Sequence, residues 1–264
     1  MFGGNGDFSL PLWHNGPTPG GLYNFPGISR SSNEFSHTGL YGTQRSSQPI
    51  TTGTSVVGIK FDGGVMIAAD NLVSYGSLAR FQDIQRVFPI NDRTIIGAGG
   101  DFADFQCIKR YIDQKIVEDI CYNDTIIMKP KSLYNWLTRI LYTKRSKFQP
   151  LWIDMVVGGL EEGVPFLGHV DLRGRCYTDD VIATGFGKHL ALPLLREKLE
   201  ANKGPVSQQE ASHLIRKCME VLYYRDCRAL SKYTVAVCTK DGSVVQGPID
   251  VGQNWELAKM IEGY

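Results

Sequence analysis

The most strongly patterned stretch of this chain, TTGTSVVGIKFDGGVMIAAD (Thr51 to Asp70), opens on a hydroxyl that could do chemistry. Thr54 follows Gly53 and begins a β-branched run, and a second apolar run ends in Asp70. A hydroxyl is a weak nucleophile and works only when a base or a charged neighbour activates it. Elsewhere the candidates are poorer. The six cysteines (Cys107, Cys121, Cys176, Cys218, Cys227, Cys238) form no C-x-x-C pair, which reads as buried thiols serving as small apolar residues in a reducing compartment. The five histidines are dispersed, none at zinc spacing with another ligand, so neither a metal nor a cofactor is expected. Gly97-Ala98-Gly99-Gly100-Asp101 lies where a dinucleotide fingerprint would sit, but Phe102 replaces its last glycine, and the βαβ context is missing. What survives is a close backbone turn whose N–H groups could hold a partial negative charge.

Bulk properties narrow the classes further. At 264 residues with 42% hydrophobic and 21% charged residues, the chain can bury a substantial globular core. A formal net charge of +1 argues against a dedicated nucleic-acid binder. No apolar run approaches the roughly 20 residues of a membrane span. The start, MFGGNGDFSLPLWHNG, lacks a basic n-region and an apolar core, so the expected address is cytoplasm and nucleus. Asn123-Asp124-Thr125 matches a glycosylation acceptor, without the secretory context that would use it.

These residues need elements to hold them. Residues 1–50 are rich in Gly, Ser, Asn and Pro and show no apolar period; they are expected to be extended or disordered, either a removable leader or an arm that orders on a partner. Thr54–Phe61 and Val65–Asp70 read as a hairpin across Asp62-Gly63-Gly64, and Arg86–Ile90 with Arg93–Ala98 as a second. Helical spacing follows, with Asp101 as a cap, then a helix through SLYNWLTRILYTKRSK with Ser132 at its N-cap. The basic Lys144-Arg145-Ser146-Lys147 suits the end of that helix. Three strand-like runs come next, Trp152–Gly159, Pro165–Asp171 and Arg175–Thr184. Helices over Lys188–Glu200 and Ser207–Asp226, the latter opened by a capping box, precede strands at Tyr233–Thr239 and Ser243–Gly247. Paired helices between groups of antiparallel strands exclude a doubly wound parallel sheet. The expected fold is α+β, a four-layer α-β-β-α sandwich of two antiparallel sheets.

The hairpin G-T-S-V-V-G-I-K-F-D-G-G-V-M-I-A-A-D with Tyr75-Gly76-Ser77, the Gly97–Asp101 turn and Tyr224-Arg225-Asp226 resemble proteasome β subunits. The resemblance runs from Thr51 to the last strand. Gly76–Phe81, Asn135–Arg139, Leu222–Asp226 and Asn254-Trp255 resemble one structural member of the eukaryotic β ring in particular. The family implies the N-terminal-nucleophile hydrolase fold, which is the same four-layer sandwich.

The resemblance also implies a chemistry to test against these residues. In active members a Gly-Thr bond cleaves itself, and the freed threonine supplies a nucleophilic hydroxyl with its own α-amine as base. An aspartate sixteen residues on orients a lysine sixteen beyond that. Here those positions are Thr54, Asp70 and Arg86. Lysine can be tuned by its surroundings, whereas a guanidinium stays charged; losing a proton-transfer group typically costs ~10²–10⁴-fold in rate. The family's Gly-Ser-Gly-Ser turn becomes Gly185-Phe186-Gly187-Lys188, and the serine expected three residues after Asp226 becomes Ala229. Gly100 retains the backbone N–H of an oxyanion hole. The resemblance places leader cleavage near Arg45-Ser46, by a neighbouring subunit, which leaves Thr54 inside the chain. The vestigial site is then Thr54, Asp70, Arg86, Gly100 and Asp226.

The domains expected are a leader (1–45), a proteasome β-type domain (46–250) and a tail (251–264) contacting neighbouring subunits, with Trp255 as a buried anchor. The implied partners are other proteasome α and β subunits, in two stacked seven-membered β rings between α rings, and assembly chaperones. The expected function is a non-catalytic structural subunit. The competing readings are an active threonine endopeptidase with Thr54 at its N-terminus and a free-standing binding module.

Overall fold

The computed structural model describes residues 48–122, 127–202 and 204–256. The chain divides between Ser46 and Ser47, and all of these residues belong to the second unit. The leader, the Arg45-Ser46 cleavage position and Asn123–Thr125 lie outside the described residues, as does the tail beyond Glu256.

The elements in chain order are β1 (Thr51–Gly53), β2 (Val56–Phe61), β3 (Gly64–Asp70), β4 (Val73–Tyr75), β5 (Leu78–Phe81), β6 (Val87–Asn91), β7 (Thr94–Asp101), α1 (Phe102–Tyr122), α2 (Pro130–Ser146), β8 (Ile153–Glu161), β9 (Val164–Val170), β10 (Cys176–Thr178), β11 (Val181–Ala183), α3 (Gly187–Ala201), α4 (Gln208–Arg225), β12 (Lys232–Thr239) and β13 (Gly242–Asp250). One sheet runs β10-β9-β8-β7-β1-β4-β5, with β6 also on β7; the other runs β11-β2-β3-β12-β13. Each registered neighbour pair is antiparallel.

Period-two alternation sorts the apolar side chains into three layers. Val57 and Ile59 of β2 and Met66 and Ala68 of β3 pack with Leu195 of α3 and Ile215 and Leu222 of α4. Their neighbours Val56, Val65, Ile67 and Ala69 point the other way, to Ile95, Val156, Leu167 and Ala236 between the sheets. Ile96, Met155 and Val157 face Ile108 and Ile112 of α1 and Leu133, Leu137 and Leu141 of α2. A sheet covered on both faces explains why all seven residues of β3 are buried. The expected four-layer α-β-β-α sandwich is present.

Several details differ from the expectations. α2 is not capped by Ser132: it begins at Pro130, after the extended Lys129, with no side-chain cap. Proline starts the helix because its φ is already helical and its missing N–H would have been unpaired there. The run Arg175–Thr184 is not one strand. Asp179-Asp180 breaks it, leaving β10 on β9 and β11 on β2, in different sheets. The β8–β9 turn rests on Glu162 and Gly163, both at positive φ, the geometry that matches strand twist. The capping box of α4 forms as expected, Ser207 Oγ accepting from Glu210 N at 3.3 Å and Ser207 N donating to Glu210 Oε2 at 3.0 Å. All six cysteines are free, but only Cys218 and Cys238 are buried, whereas Cys121, Cys176 and Cys227 are exposed. Among the described residues no helix is long and apolar enough to cross a membrane.

Candidate functional site

The site sits where β1, β3, β7 and the end of α4 converge. The short β1 is flanked on both sides: Thr52 and Gly53 pair with Asp101 and Gly100 of β7, and Thr51 and Thr52 with Tyr75 and Ser74 of β4. The Asp101 carboxylate fastens this strand, accepting from Ile50 N at 3.0 Å and the Thr51 hydroxyl at 3.2 Å. Gly76 N donates to Ile50 O at 3.0 Å. Asp101 also takes Ala103 N at 2.8 Å, so it caps α1 as expected while doing this second job.

Thr54 follows directly. Its hydroxyl donates to Asp226 Oδ2 at 2.5 Å, and its carbonyl accepts from Arg86 Nη1 at 3.0 Å. Asp226 is held at the C-cap of α4 and also accepts Arg228 N at 2.9 Å. Because the hydroxyl is engaged by a buried carboxylate, its lone-pair direction and proton are both fixed.

Arg86 is 1% exposed and pairs with Asp70, equally buried, through Nη2. Its other donors reach backbone carbonyls: Nε to Asp70 O at 2.9 Å, Nη1 also to Ala98 O at 3.2 Å, and Nη2 also to Ser55 O at 3.2 Å. Asp70 Oδ2 is taken by Leu230 N at 3.1 Å. Burial lowers the Arg86 guanidinium to about 9, against the pull of Asp226 in the other direction. It therefore remains a cation at neutral pH, a donor with no lone pair free to accept a proton. Gly53 is required by this arrangement, since a Cβ there would lie 2.6 Å from Arg86 Cδ.

A cleft of about 260 Å³ opens beside Thr54, lined among others by Gly99, Gly100, Asp154, Phe186 and Arg228. Gly100 adopts φ +88°, and a side chain there would collide with the Trp152 carbonyl. The exposed Phe186 ring stands at the start of α3, while Ser55 Oγ accepts Gly187 N at 2.9 Å. The structure thus brings Thr54, Asp70, Arg86, Gly100 and Asp226 into one neighbourhood.

Sequence reasoning missed a second polar group behind the cleft. His169 of β9 is 0% exposed, and neither ring nitrogen has a hydrogen-bond partner. Asp154 lies 3.8 Å from its Nε2, Lys188 lies 3.7 Å from Asp154, and the Tyr177 ring is 4.9 Å away. Burial pulls the imidazole down to about 4; Asp154 and Asp171 oppose that, and Lys188 and Arg175 add to it. A lone aspartate within the apolar strand Trp152–Gly159 was the only signal available for this group.

The tail folds back on α4. Tyr224 OH accepts Asn254 N at 2.7 Å, and the Trp255 ring meets Tyr223 and Tyr224 edge-on at 6.0 and 5.2 Å. Trp255 is 53% exposed within this chain.

This geometry can be set beside known proteins. A family model described as proteasome subunit matches residues 50–238, which include all of the residues gathered around Thr54. The chain is 54% identical to Proteasome subunit beta type-4 of Drosophila melanogaster over the full length of both chains. It is 47% identical to Proteasome subunit beta type-4 of Xenopus laevis, covering 94% of this chain and 98% of that one. To Proteasome subunit beta type-7 of Saccharomyces cerevisiae it is 37% identical, covering 88% and 90%. The two-sheet sandwich, the polar cluster around Thr54 and these matches agree, and the chain belongs to the proteasome subunit family.

Proposed function

We propose that this chain is a non-catalytic structural β subunit of the 20S proteasome core particle, the counterpart of the beta type-4 subunits it resembles. It occupies one place in a seven-membered β ring, beside other β subunits and against an α ring. From there it supports ubiquitin-dependent protein degradation by the complex in cytoplasm and nucleus, after assembly helped by chaperones.

The observation that carries this reading is Arg86. A group that must relay protons is replaced by one that stays cationic at neutral pH, and its donors are distributed over Asp70 and the carbonyls of Thr54, Ser55, Asp70 and Ala98. A guanidinium so engaged can orient Thr54 but cannot take its proton. The pairing of β1 supports the same reading. The groove between β4 and β7 is filled by the chain's own residues, leaving no free strand edge there for a peptide to pair with.

The test is the intact mass and N-terminal sequence of this chain recovered from native complex. A start at or near Ser46 is expected, with Thr54 internal and lacking an α-amine. A start at Thr54, with labelling of its hydroxyl by a threonine-directed electrophile, overturns the proposal in favour of an active threonine endopeptidase. Recovery as a lone 29.4 kDa species would instead favour a free-standing binding module.

A further inference from the structure

The sequence contains two Asp-Gly steps, Asp62-Gly63 and Asp241-Gly242, and both fall at hairpin turns. In such a step the glycine amide nitrogen can approach the aspartate side-chain carbon, because glycine carries no Cβ to block it. The fold treats the two steps differently. Phe61 and Gly64 are the ladder pair that closes the β2–β3 hairpin, so Asp62 and Gly63 are the two residues between them. The hydrogen bond that closes a four-residue turn joins its first and fourth residues and leaves the N–H of the third unused. Gly63 is that third residue, and among the described residues no backbone carbonyl accepts from its N–H. Both Asp62 and Gly63 are exposed. Gly63 adopts φ +80°, and a Cβ there would meet nothing within 4 Å.

Asp241-Gly242 is shifted by one position. Its turn residues are Lys240 and Asp241, and Gly242 already stands in β13 opposite Thr239. It is the fourth residue of its turn, the one whose N–H closes the reversal. Asp241 N also donates to Thr239 Oγ1 at 3.4 Å. The β2–β3 turn, by contrast, is held on the side that does not react. Asp62 N donates to Val206 O at 2.8 Å, and the Asp62–Gly63 peptide follows that anchor.

We propose that Asp62-Gly63 is a site of spontaneous isoaspartate formation, a covalent mark of age on this chain, and that Asp241-Gly242 is protected from it. The Gly63 amide nitrogen attacks Asp62 Cγ and gives up its proton, and the Cγ hydroxyl leaves as water. The product is a cyclic imide in which that nitrogen is bonded to both carbonyl carbons of Asp62. Water then adds back. At Cγ it restores aspartate; at the backbone carbon it breaks the original peptide bond and leaves the chain running through Cγ, with a new α-carboxylate. One water is lost and one regained, so the mass is unchanged. The chain gains one backbone carbon between Phe61 and Gly64. Gly64 cannot yield to it, since a Cβ there would lie 2.5 Å from the Cys238 carbonyl oxygen. The turn must move outward, against the bond from Asp62 to Val206, a buried residue that directly precedes the Ser207 cap of α4. This inference is independent of the chemistry at Thr54.

The experiment ages wild-type complex, purified through a tag on this chain, for several weeks at body temperature and neutral pH. Peptides from successive samples are then separated and fragmented by electron transfer, which distinguishes isoaspartate from aspartate at each position. The isomerised fraction at Asp62 should rise steadily and exceed that at Asp241 several-fold. In the same chain unfolded in urea, the two steps should isomerise at similar rates, because the protection of Asp241 belongs to the fold. Amide exchange at residues 61–64 and at Ser207 should increase with age in the wild type. It should stay constant in Asp62→Glu, which keeps the charge but would have to close a larger ring. An unmodified Asp62 in aged complex overturns the proposal, as do equal fractions at the two turns. A difference that persists in urea also overturns it, by assigning the contrast to neighbouring residues rather than to the turns.

Discussion

The hydroxyl of Thr54 and the carboxylate of Asp226 are separated by 172 positions in the chain and by 2.5 Å in space. The bond joins the start of the first sheet to the C-cap of α4, and under the proposed function it makes Thr54 a structural hydroxyl. Thr54→Ala should therefore leave every peptidase activity of the complex unchanged. Leaving a buried Asp226 oxygen without its donor should cost about 1–3 kcal/mol of stability. A peptidase assay with fluorogenic substrates, beside a thermal unfolding curve, checks both halves; loss of one activity with assembly intact contradicts the assignment.

Arg86→Lys should not restore catalysis, although it reinstates the residue type of active relatives. Lysine offers three donors on a flexible stem, against the four backbone carbonyls and one carboxylate that Arg86 reaches. Arg86→Met leaves the Asp70 charge buried and unpaired, and should cost about 3–5 kcal/mol. Both variants should lower the yield of assembled particle, Arg86→Met more severely. The readout is the ratio of assembled to unassembled chain on a native gel.

His169 predicts an acid limb in stability. Its folded-state value is lowered from 6.5 to about 4, so the unfolded chain binds a proton first as pH falls. The neutral ring therefore contributes stability above pH 6.5, which is lost progressively between 6.5 and about 4, to a total of about 3 kcal/mol. Asp154, Asp171, Lys188, Arg175 and the Tyr177 ring all face this site, and the acidic pair limits the loss. The variant His169→Gln does not titrate, so its melting temperature should fall less between pH 7 and pH 4.5 than that of the wild type. Parallel slopes would assign the acid limb to other groups.

The tail gives a fourth expectation. Tyr224→Phe removes the hydroxyl that holds Asn254 at 2.7 Å and should increase amide exchange at residues 254–256. Deleting the residues after Val251 removes the Trp255 contacts as well and should accumulate half-sized particles, visible on native gels. Normal particle yield after that truncation would contradict the expected contact of the tail with neighbouring subunits.

Much of this architecture was readable in the residues, and the failures share a cause. The β2–β3 hairpin was legible because Asp62-Gly63 and the β-branched runs are local signals. The Arg86–Asp70 pair followed from a count along the resemblance. β4 and β5 were not legible: they hold three and four residues, and β5 is exposed throughout, so no alternation marks it. The split between β10 and β11 depends on which sheet each half reaches: β10 turns back on nearby Val170, whereas β11 pairs with Ile59, far away in sequence. Asp101 was readable as a helix cap. Its hold on Ile50 was not, because that contact exists only once β1 has found its register on β7.

That register has a consequence for processing. A protease needs several residues in extended, unpaired form on each side of the bond it cuts. Thr51 and Thr52 pair with β4 and Thr52 and Gly53 with β7, Ile50 is held by Gly76 N and Asp101, and β4 reaches β7 only through β1. Under the proposed function, cleavage from the N-terminal side is expected to stop before Ile50, with the sheet acting as a ruler. A cut after Gly53 would leave β1, the strand between β4 and β7, severed from the rest of the domain and held there by hydrogen bonds alone, so freeing the threonine would weaken the β4–β5 end of the sheet.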